Sequence, residues 1–285
     1  MTLREEMFQD AQFAEVPIEE VRAFWDRRPC NVRHSPKPVG TREYFDEVEA
    51  RKYFVEPHIP RFAQFEHWRG KRVLEIGCGI GTDTINFARA GAEVTAVELS
   101  ETSLAIARQR AEVYDLQGRI QFYLGNAEDL QSIVPVSGYD LVYAFGVIHH
   151  TPHPDRVIEQ IRAYMHPGGT LKIMVYHRHS WKVLWILLTY GGGRFWQLDQ
   201  LIARYSEAES GCPITYTFTR QDIAQLLCDF QIADLWVDHI FPYRIADYVE
   251  YRYVRARPFS WLPGPAFHWL ERRLGWHLCV TALKL

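Results

Sequence analysis

The chain has 285 residues, 47% hydrophobic and 24% charged, enough to bury the core of one large domain or of a domain with a cap. Its 32 basic residues stand against 35 acidic ones, a formal charge of -3, so no global field draws it toward nucleic acid or anionic lipid, and small or neutral partners are favoured. Five cysteines, Cys30, Cys78, Cys212, Cys228 and Cys279, form an odd, widely spaced set that fits neither a disulfide framework nor a zinc cluster, so a reducing, cytoplasmic location is expected.

In chain order, MTLREEMFQDAQFAEV is acidic and lacks an apolar centre, which argues against a signal or transit peptide. No apolar run reaches the roughly 18 residues of a membrane helix. Residues 1–70 are aromatic-rich, and Glu43, Tyr44, Glu47, Arg51 and Tyr53 recur at helical spacing before Pro57, which predicts an N-terminal helical lid. From residue 71 strands and helices alternate. KRVLEI is a strand, Gly77 to Gly81 a glycine-rich turn, and TDTINFARAG a helix that stops at Gly91. EVTAVELS is a second strand, with Ser100 placed to cap a helix carrying Leu104, Ala107 and Ala111. A third strand ends near Leu124. YDLVYAFGVI is a nearly continuous apolar run, as expected of a strand buried on both faces, and a helix with Ile158, Ile161 and Met165 aligned leads through HPGG into the strand TLKIMVY. This rhythm predicts an α/β fold with an open, doubly wound, mostly parallel sheet over 71–176. Residues 177–214 then read as a helical cap interrupted by three glycines. Residues 215–285 complete the core: Thr219 and Asp222 open a helix as a capping box, QIADLWVDHI and GWHLCVTALKL are strands, and 239–275 is a second aromatic-rich insertion.

In such a sheet ligands lie beyond the carboxyl ends of the strands. The residues there are Glu75, Gly77, Cys78, Gly79 and Gly81 after the first strand, Glu98 and Leu99 after the second, Asn126 and Ala127 after the third, and Phe145 before the histidine run of the fourth. Glycines let a ligand approach the backbone, and Glu98 follows the turn by about the 20 residues at which an acid meets a ribose hydroxyl pair. The turn is one residue shorter than the G-x-G-x-x-G of dinucleotide enzymes, and the acid at Glu75 suits a cation better than a pyrophosphate. In this order and spacing, VLEIGCGIGTD, AVELS, GNAEDL, YDLVYAFGVIHH and HPGGTLKIMV resemble the motifs of class I S-adenosylmethionine-dependent methyltransferases. The resemblance is strong over 71–176 and looser over about 215–238 and 276–285. It implies a Rossmann-like sheet of seven strands with the last inserted antiparallel beside the fifth, and S-adenosylmethionine as cofactor. It also implies that Glu75, Gly77, Gly79 and Gly81 serve the methionine end, Glu98 the ribose, and Asn126 with Ala127 the adenine. Glu98 and Asn126 both stand where aspartate is commoner. In similar enzymes a segment like 1–70 folds over the cofactor, so Tyr44 and Arg51 are expected to approach it.

Methyl transfer from a sulfonium needs alignment, and a base only when the acceptor must lose a proton. His149 and His150 are the catalytic candidates, expected to line the acceptor site, with His177 and His179 next. No metal is expected: His149 and His150 are adjacent, Pro152 separates them from His153, and no ligand of matching spacing accompanies them. The acceptor is expected to be a small molecule; the aromatic-rich insertions favour an aromatic or hydrophobic one, and stacking would equally suit a cation. The apolar stretch SWKVLWILL reads first as core or lid, then as a homodimer face or a membrane contact. The competing functions are a catalytically silent S-adenosylmethionine binder, an NAD-dependent dehydrogenase, and an RNA methyltransferase. The last is suggested by YRIADYVEYRYVRARPF and weighed down by the charge.

Overall fold

The apolar runs become strands covered on both faces. The computed structural model describes residues 13–207 and 211–285. Residues 1–12 of the expected lid and 208–210 of the expected cap lie outside the described residues. One sheet contains β1 (Arg72–Ile76), β2 (Glu93–Glu98), β3 (Ile120–Leu124), β4 (Tyr139–Phe145), β5 (Met165–Tyr176), β6 (Phe230–Asp238) and β7 (His277–Lys284), in the order β3-β2-β1-β4-β5-β7-β6. The first five strands are parallel, and β7 runs antiparallel between β5 and β6. This is the doubly wound, seven-stranded fold expected. Strand order reverses between β1 and β4, so the rim above their carboxyl ends is the natural ligand crevice.

Helices α1 (Ile18–Arg27), α2 (Arg42–Val55) and α3 (His58–Ala63) precede the sheet, and α4 (Thr82–Arg89), α5 (Glu101–Val113) and α6 (Pro154–Tyr164) are its crossovers. One face is packed by Phe62, Trp68, Ile85, Ala107 and Ala111, the other by Ile158, Ile161, Ile223 and Leu226. The caps follow the sequence. Ser100 accepts the Ser103 N–H at 3.1 Å, and the Thr219–Asp222 box is closed in both directions at the start of α9 (Arg220–Leu226). Three short helices, α10 (Ile245–Tyr248), α11 (Arg257–Ser260) and α12 (Gly264–Leu274), fill the insertion after β6.

Three features differ from the sequence reading. The HPGG turn lies inside β5, which starts at Met165 opposite Tyr139 and changes register before Leu141. A bulge lets the ladder continue where glycines alone would suggest a break. The stretch 180–188 forms α7 (Trp181–Thr189), capped by Ser180 and followed by α8 (Leu198–Tyr205), yet it is not a core helix. Only Val183 and Ile186 are buried, while Leu188, Phe195 and Trp196 are 65%, 71% and 68% exposed. Finally, the N-terminal segment is more than a cover, because Ile59 and Ala63 are fully buried and Phe62 and Trp68 belong to the main core.

Candidate cofactor and acceptor site

The turn after β1 holds Gly77, Gly79 and Gly81 at φ of +70°, +54° and +78°, a region that disfavours any side chain. Their reasons differ. A Cβ on Gly77 would stand 2.2 Å from Val147, and one on Gly81 would stand 3.1 Å from Ala107 of α5, so both are required by packing within the protein. A Cβ on Gly79 would meet nothing within 4 Å. Gly79 therefore borders open space on the ligand rim, and its N–H donates to the Glu98 carboxylate at 2.7 Å. Glu98 also accepts from the Ser100 N–H at 2.9 Å. Burial raises its pKa, against the backbone N–H groups that favour the anion.

Glu75 is buried and accepts the Thr84 hydroxyl at 2.5 Å. Burial, with Asp83 nearby, pushes its carboxyl up to about 8. Cys78 is buried beside the same acids, and its thiol is raised well above the ordinary range by burial first and by Glu98 second. After β3, the Asn126 side chain accepts the Glu128 N–H at 3.0 Å and starts a short helical turn at Ala127. Leu99, like Val16, Ile18 and Trp25, packs against the cluster of Phe13, Val21, Ala203 and Ile214, and Asp26 at the end of α1 accepts from the Ser100 hydroxyl at 2.8 Å and the Thr102 N–H at 3.2 Å. The N-terminal segment thus closes over the end of β2.

Tyr44 and Arg51 are placed differently from the expectation. Tyr44 is fully buried, packs against Ile80 of the turn, and spends its hydroxyl on the Val32 carbonyl at 2.8 Å. Arg51 turns away into a box formed by the rings of Tyr248, Tyr251 and Tyr253. The next residues on the helix reach the turn instead. Lys52 and Tyr53 donate to Asp83 at 2.7 and 2.9 Å, and Tyr143 donates to its other oxygen at 3.0 Å. One residue on a helix is a rotation of about 100°, so Arg51 and Lys52 cannot face the same site.

The histidines of 148–150 form a short helical turn, both side chains buried. His150 contacts the Ile214 carbonyl at 2.7 Å and Cys212 at 3.5 Å. Burial opposes charge on this ring, but Cys212 and Glu207 outweigh it and raise its pKa. His149 stands between His150 and Tyr176, with ring centroids 4.2 and 3.7 Å away, and neither of its ring nitrogens has a partner among the described residues. Burial, then His150 and Lys182, hold its pKa well below the ordinary value, so it is a neutral imidazole. His177 is buried against the Gly275 carbonyl, away from this group; its ring lies 5.9 Å from that of His179. Phe145, Tyr176 and Trp276 continue the wall, and Tyr176 stacks on Trp276 at 4.1 Å while its hydroxyl donates to Glu207 at 2.7 Å.

Cys30 keeps an accessible surface although burial, with Glu207 and Glu56 beside it, pushes its thiol up to about 12. The charges of Lys52, Glu56 and Glu207 act on Cys30, which in turn acts on Tyr176, and Lys182 lies over the Trp276 ring at 4.8 Å. Two surface clefts of about 500 and 490 Å³ do not include the glycine turn. Sequence reading did not single out Cys30, Glu56, Lys182, Glu207 or Trp276. Tyr176 alone carried a signal, as the last residue of β5.

A family model described as a methyltransferase domain matches residues 74–171. The chain is 32% identical over 119 residues to the ubiquinone biosynthesis O-methyltransferase of Aeromonas salmonicida, covering 42% of this chain and 49% of that one. It is 35% identical over 105 residues to the 27-O-demethylrifamycin SV methyltransferase of Amycolatopsis mediterranei, covering 36% and 38%. The chain thus spans half or less of the curated relatives it matches. In fold it resembles the magnesium protoporphyrin IX methyltransferase of Synechocystis PCC 6803 with bound SAH, at a TM-score of 0.60 and 16% identity over 94% of this chain and all of that one. The geranyl diphosphate C-methyltransferase of Streptomyces coelicolor gives 0.59 and 13%, over 97% and 100%. Residues 74–171 thus match a methyltransferase domain, and the glycine turn after β1 and the strands β2 to β4 lie inside the matched segment.

Proposed function

We propose that the chain transfers a methyl group from S-adenosylmethionine to a small molecule. The observation that carries this reading is the rim at Gly79: nothing stands within 4 Å of where its Cβ would be, and its N–H holds the Glu98 carboxylate beside that open space at 2.7 Å. Glu98, fixed by two backbone N–H groups, has acceptor capacity left for a pair of hydroxyls. Gly77, Cys78 and Gly81 hold the turn that would carry the methionine end, Glu75 supports it from below through Thr84, and Asn126 with Ala127 would border the base. The cofactor supplies an activated methyl on a sulfur that leaves uncharged, so the protein has mainly to align donor and acceptor.

His149 suits that task. A neutral imidazole with both nitrogens unpartnered, held between two rings, can accept or donate one hydrogen bond to an acceptor and fix its angle. Its low pKa makes it a weak base, so positioning is its main contribution. The packed rings of Tyr176 and Trp276 adjoin His149, while Lys182 and Glu207 add a requirement for polar groups on the acceptor. We therefore read the acceptor as compact and polar, seated against rings.

The test is methyl-labelled cofactor with purified protein and a small-molecule extract, beside calorimetry with S-adenosylhomocysteine. A labelled low-mass product and a heat of binding are expected. Binding without labelling would leave a silent binder, and tight NAD binding without S-adenosylhomocysteine binding would overturn the cofactor assignment. Label recovered in RNA rather than in a small product would overturn the acceptor class.

A further inference from the structure

Three histidines and a carboxylate from distant parts of the chain meet at the rim without any sequence signal. The cause is topological. Because β7 runs antiparallel between β5 and β6, its first residue, His277, pairs with the last residues of both, Tyr176 and Asp238. His239 follows Asp238 directly, so it reaches the same rim. Glu56 and His58 are brought there by the break between α2 and α3 at Pro57.

Ligand atoms of Glu56, His239 and His277 all lie within 4.8 Å of one another, with the His277 Nδ1 3.7 Å from the Glu56 carboxylate. The His239 and His277 rings are 4.5 Å apart. His58 Nε2 lies 3.0 Å from His277 Nδ1, so His58 holds that ring through one nitrogen and leaves Nε2 as the metal donor. Both histidine ligands are buried, and Glu56 is nearly so. Donors at 2.0–2.2 Å from a common tetrahedral ion stand roughly 3.4 Å apart, so side-chain rotations of about an ångström would close the trio. Two lysines stand near: Lys52 pairs with Asp83 at 2.7 Å and Lys182 is drawn to Glu207, and both also act on Glu56.

We propose that Glu56, His239 and His277 bind one divalent transition-metal ion of the zinc or ferrous class, with His58 orienting His277. Imidazole donors select such ions over magnesium or calcium. Three protein donors leave a position open, as in sites where an ion also takes a water or a substrate atom. Phe145, which lines the acceptor wall, packs against both His58 and His277, so that position borders the acceptor space. The expectation of no metal considered only the run 149–153; these ligands are not in it. The inference stands independently of methyl transfer.

The test strips the full chain with a chelator and titrates it with Zn²⁺ against a competing dye and with Co²⁺ by absorption. One ion per chain is expected, with cobalt bands of a four- or five-coordinate site and a Zn²⁺-dependent rise in melting temperature. His239→Ala and His277→Ala should abolish the bands and the rise, Glu56→Gln should weaken binding strongly, and His58→Ala should weaken it about 10- to 100-fold. S-adenosylhomocysteine binding, measured on the same samples, reports folding and separates failure of this site from failure of the cofactor site. Substoichiometric binding, or binding unchanged in these variants while they remain folded, would overturn the proposal and assign the ion to surface histidines. Should both alanine variants fail to fold, unchanged zinc affinity in Glu56→Gln and His58→Ala would overturn it equally.

Discussion

Glu98 holds two backbone N–H groups and faces the open space before Gly79. Hydrogen bonds to a charged group contribute about 1.5–3 kcal/mol, so Glu98→Gln should lower S-adenosylhomocysteine affinity roughly 10- to 100-fold in calorimetry; an unchanged affinity would remove Glu98 from the site. Glu75 gives a second test at this scale. Its folded-state pKa is raised from the ordinary 4.5 to about 8, by burial above all. Between those values the unfolded chain has released the proton and the folded chain retains it, so this group's contribution to stability falls as pH rises. Urea midpoints of the wild type should therefore drop between pH 5 and 8 by more than those of Glu75→Gln, and parallel profiles would contradict the assignment. Both residues are legible from sequence, since each belongs to a strand end or turn within a short motif. Tyr176 and His149 are legible only as strand-end residues. Their ring contact at 3.7 Å is not, because it depends on how the turn after β4 meets the end of β5.

Helix α2 is joined to the glycine turn by a buried pair. Lys52 and Asp83 are 11% and 3% exposed at the side chain, and Tyr53 and Tyr143 complete the acid's partners. Removing one member leaves the other charge unanswered, so Asp83→Ala should cost about 3–5 kcal/mol, read as a large fall in urea midpoint. Lys52→Met with Asp83→Leu should recover much of that loss, and additive losses in the double variant would show that the two do not act as a pair. Helix α7 and the segment that joins it to α8 give the opposite case. Leu188 and Trp196 are exposed, so Leu188→Lys with Trp196→Lys should change stability by no more than about 0.5 kcal/mol each, and a large loss by thermal melting would mean that something covers this face. The period of SWKVLWILL identifies a helix but not its surroundings. A hydrophobic stretch specifies that burial would be favourable; which neighbours supply it depends on the rest of the chain.

For the whole molecule, the N-terminal segment divides into two parts with different physical roles. Helix α1 covers Leu99 and His150 from outside, whereas α2 and α3 contribute Tyr44, Phe45, Val48 and Ile59, all fully buried. A chain lacking residues 1–41 should unfold cooperatively but bind S-adenosylhomocysteine at least tenfold more weakly, while one lacking 1–60 should show no cooperative transition. A cooperative, binding-competent chain without residues 1–60 would restore the simple lid expected from composition. No helix among the described residues is long and apolar enough to cross a membrane. The order of residues alone dictates the doubly wound core from Arg72 to Tyr176, its caps, and the strand-end set around Glu75, Gly79 and Glu98. Hydrophobic period, turn chemistry and capping act over fewer than about 20 neighbouring residues, and so are written locally. The ring contacts of His149, Tyr176 and Trp276, the charges gathered around Cys30, and the Glu56–His239–His277 trio were decided by tertiary structure. Each joins positions far apart in the chain, and their meeting follows from the antiparallel entry of β7 and the docking of α2, which no local pattern encodes.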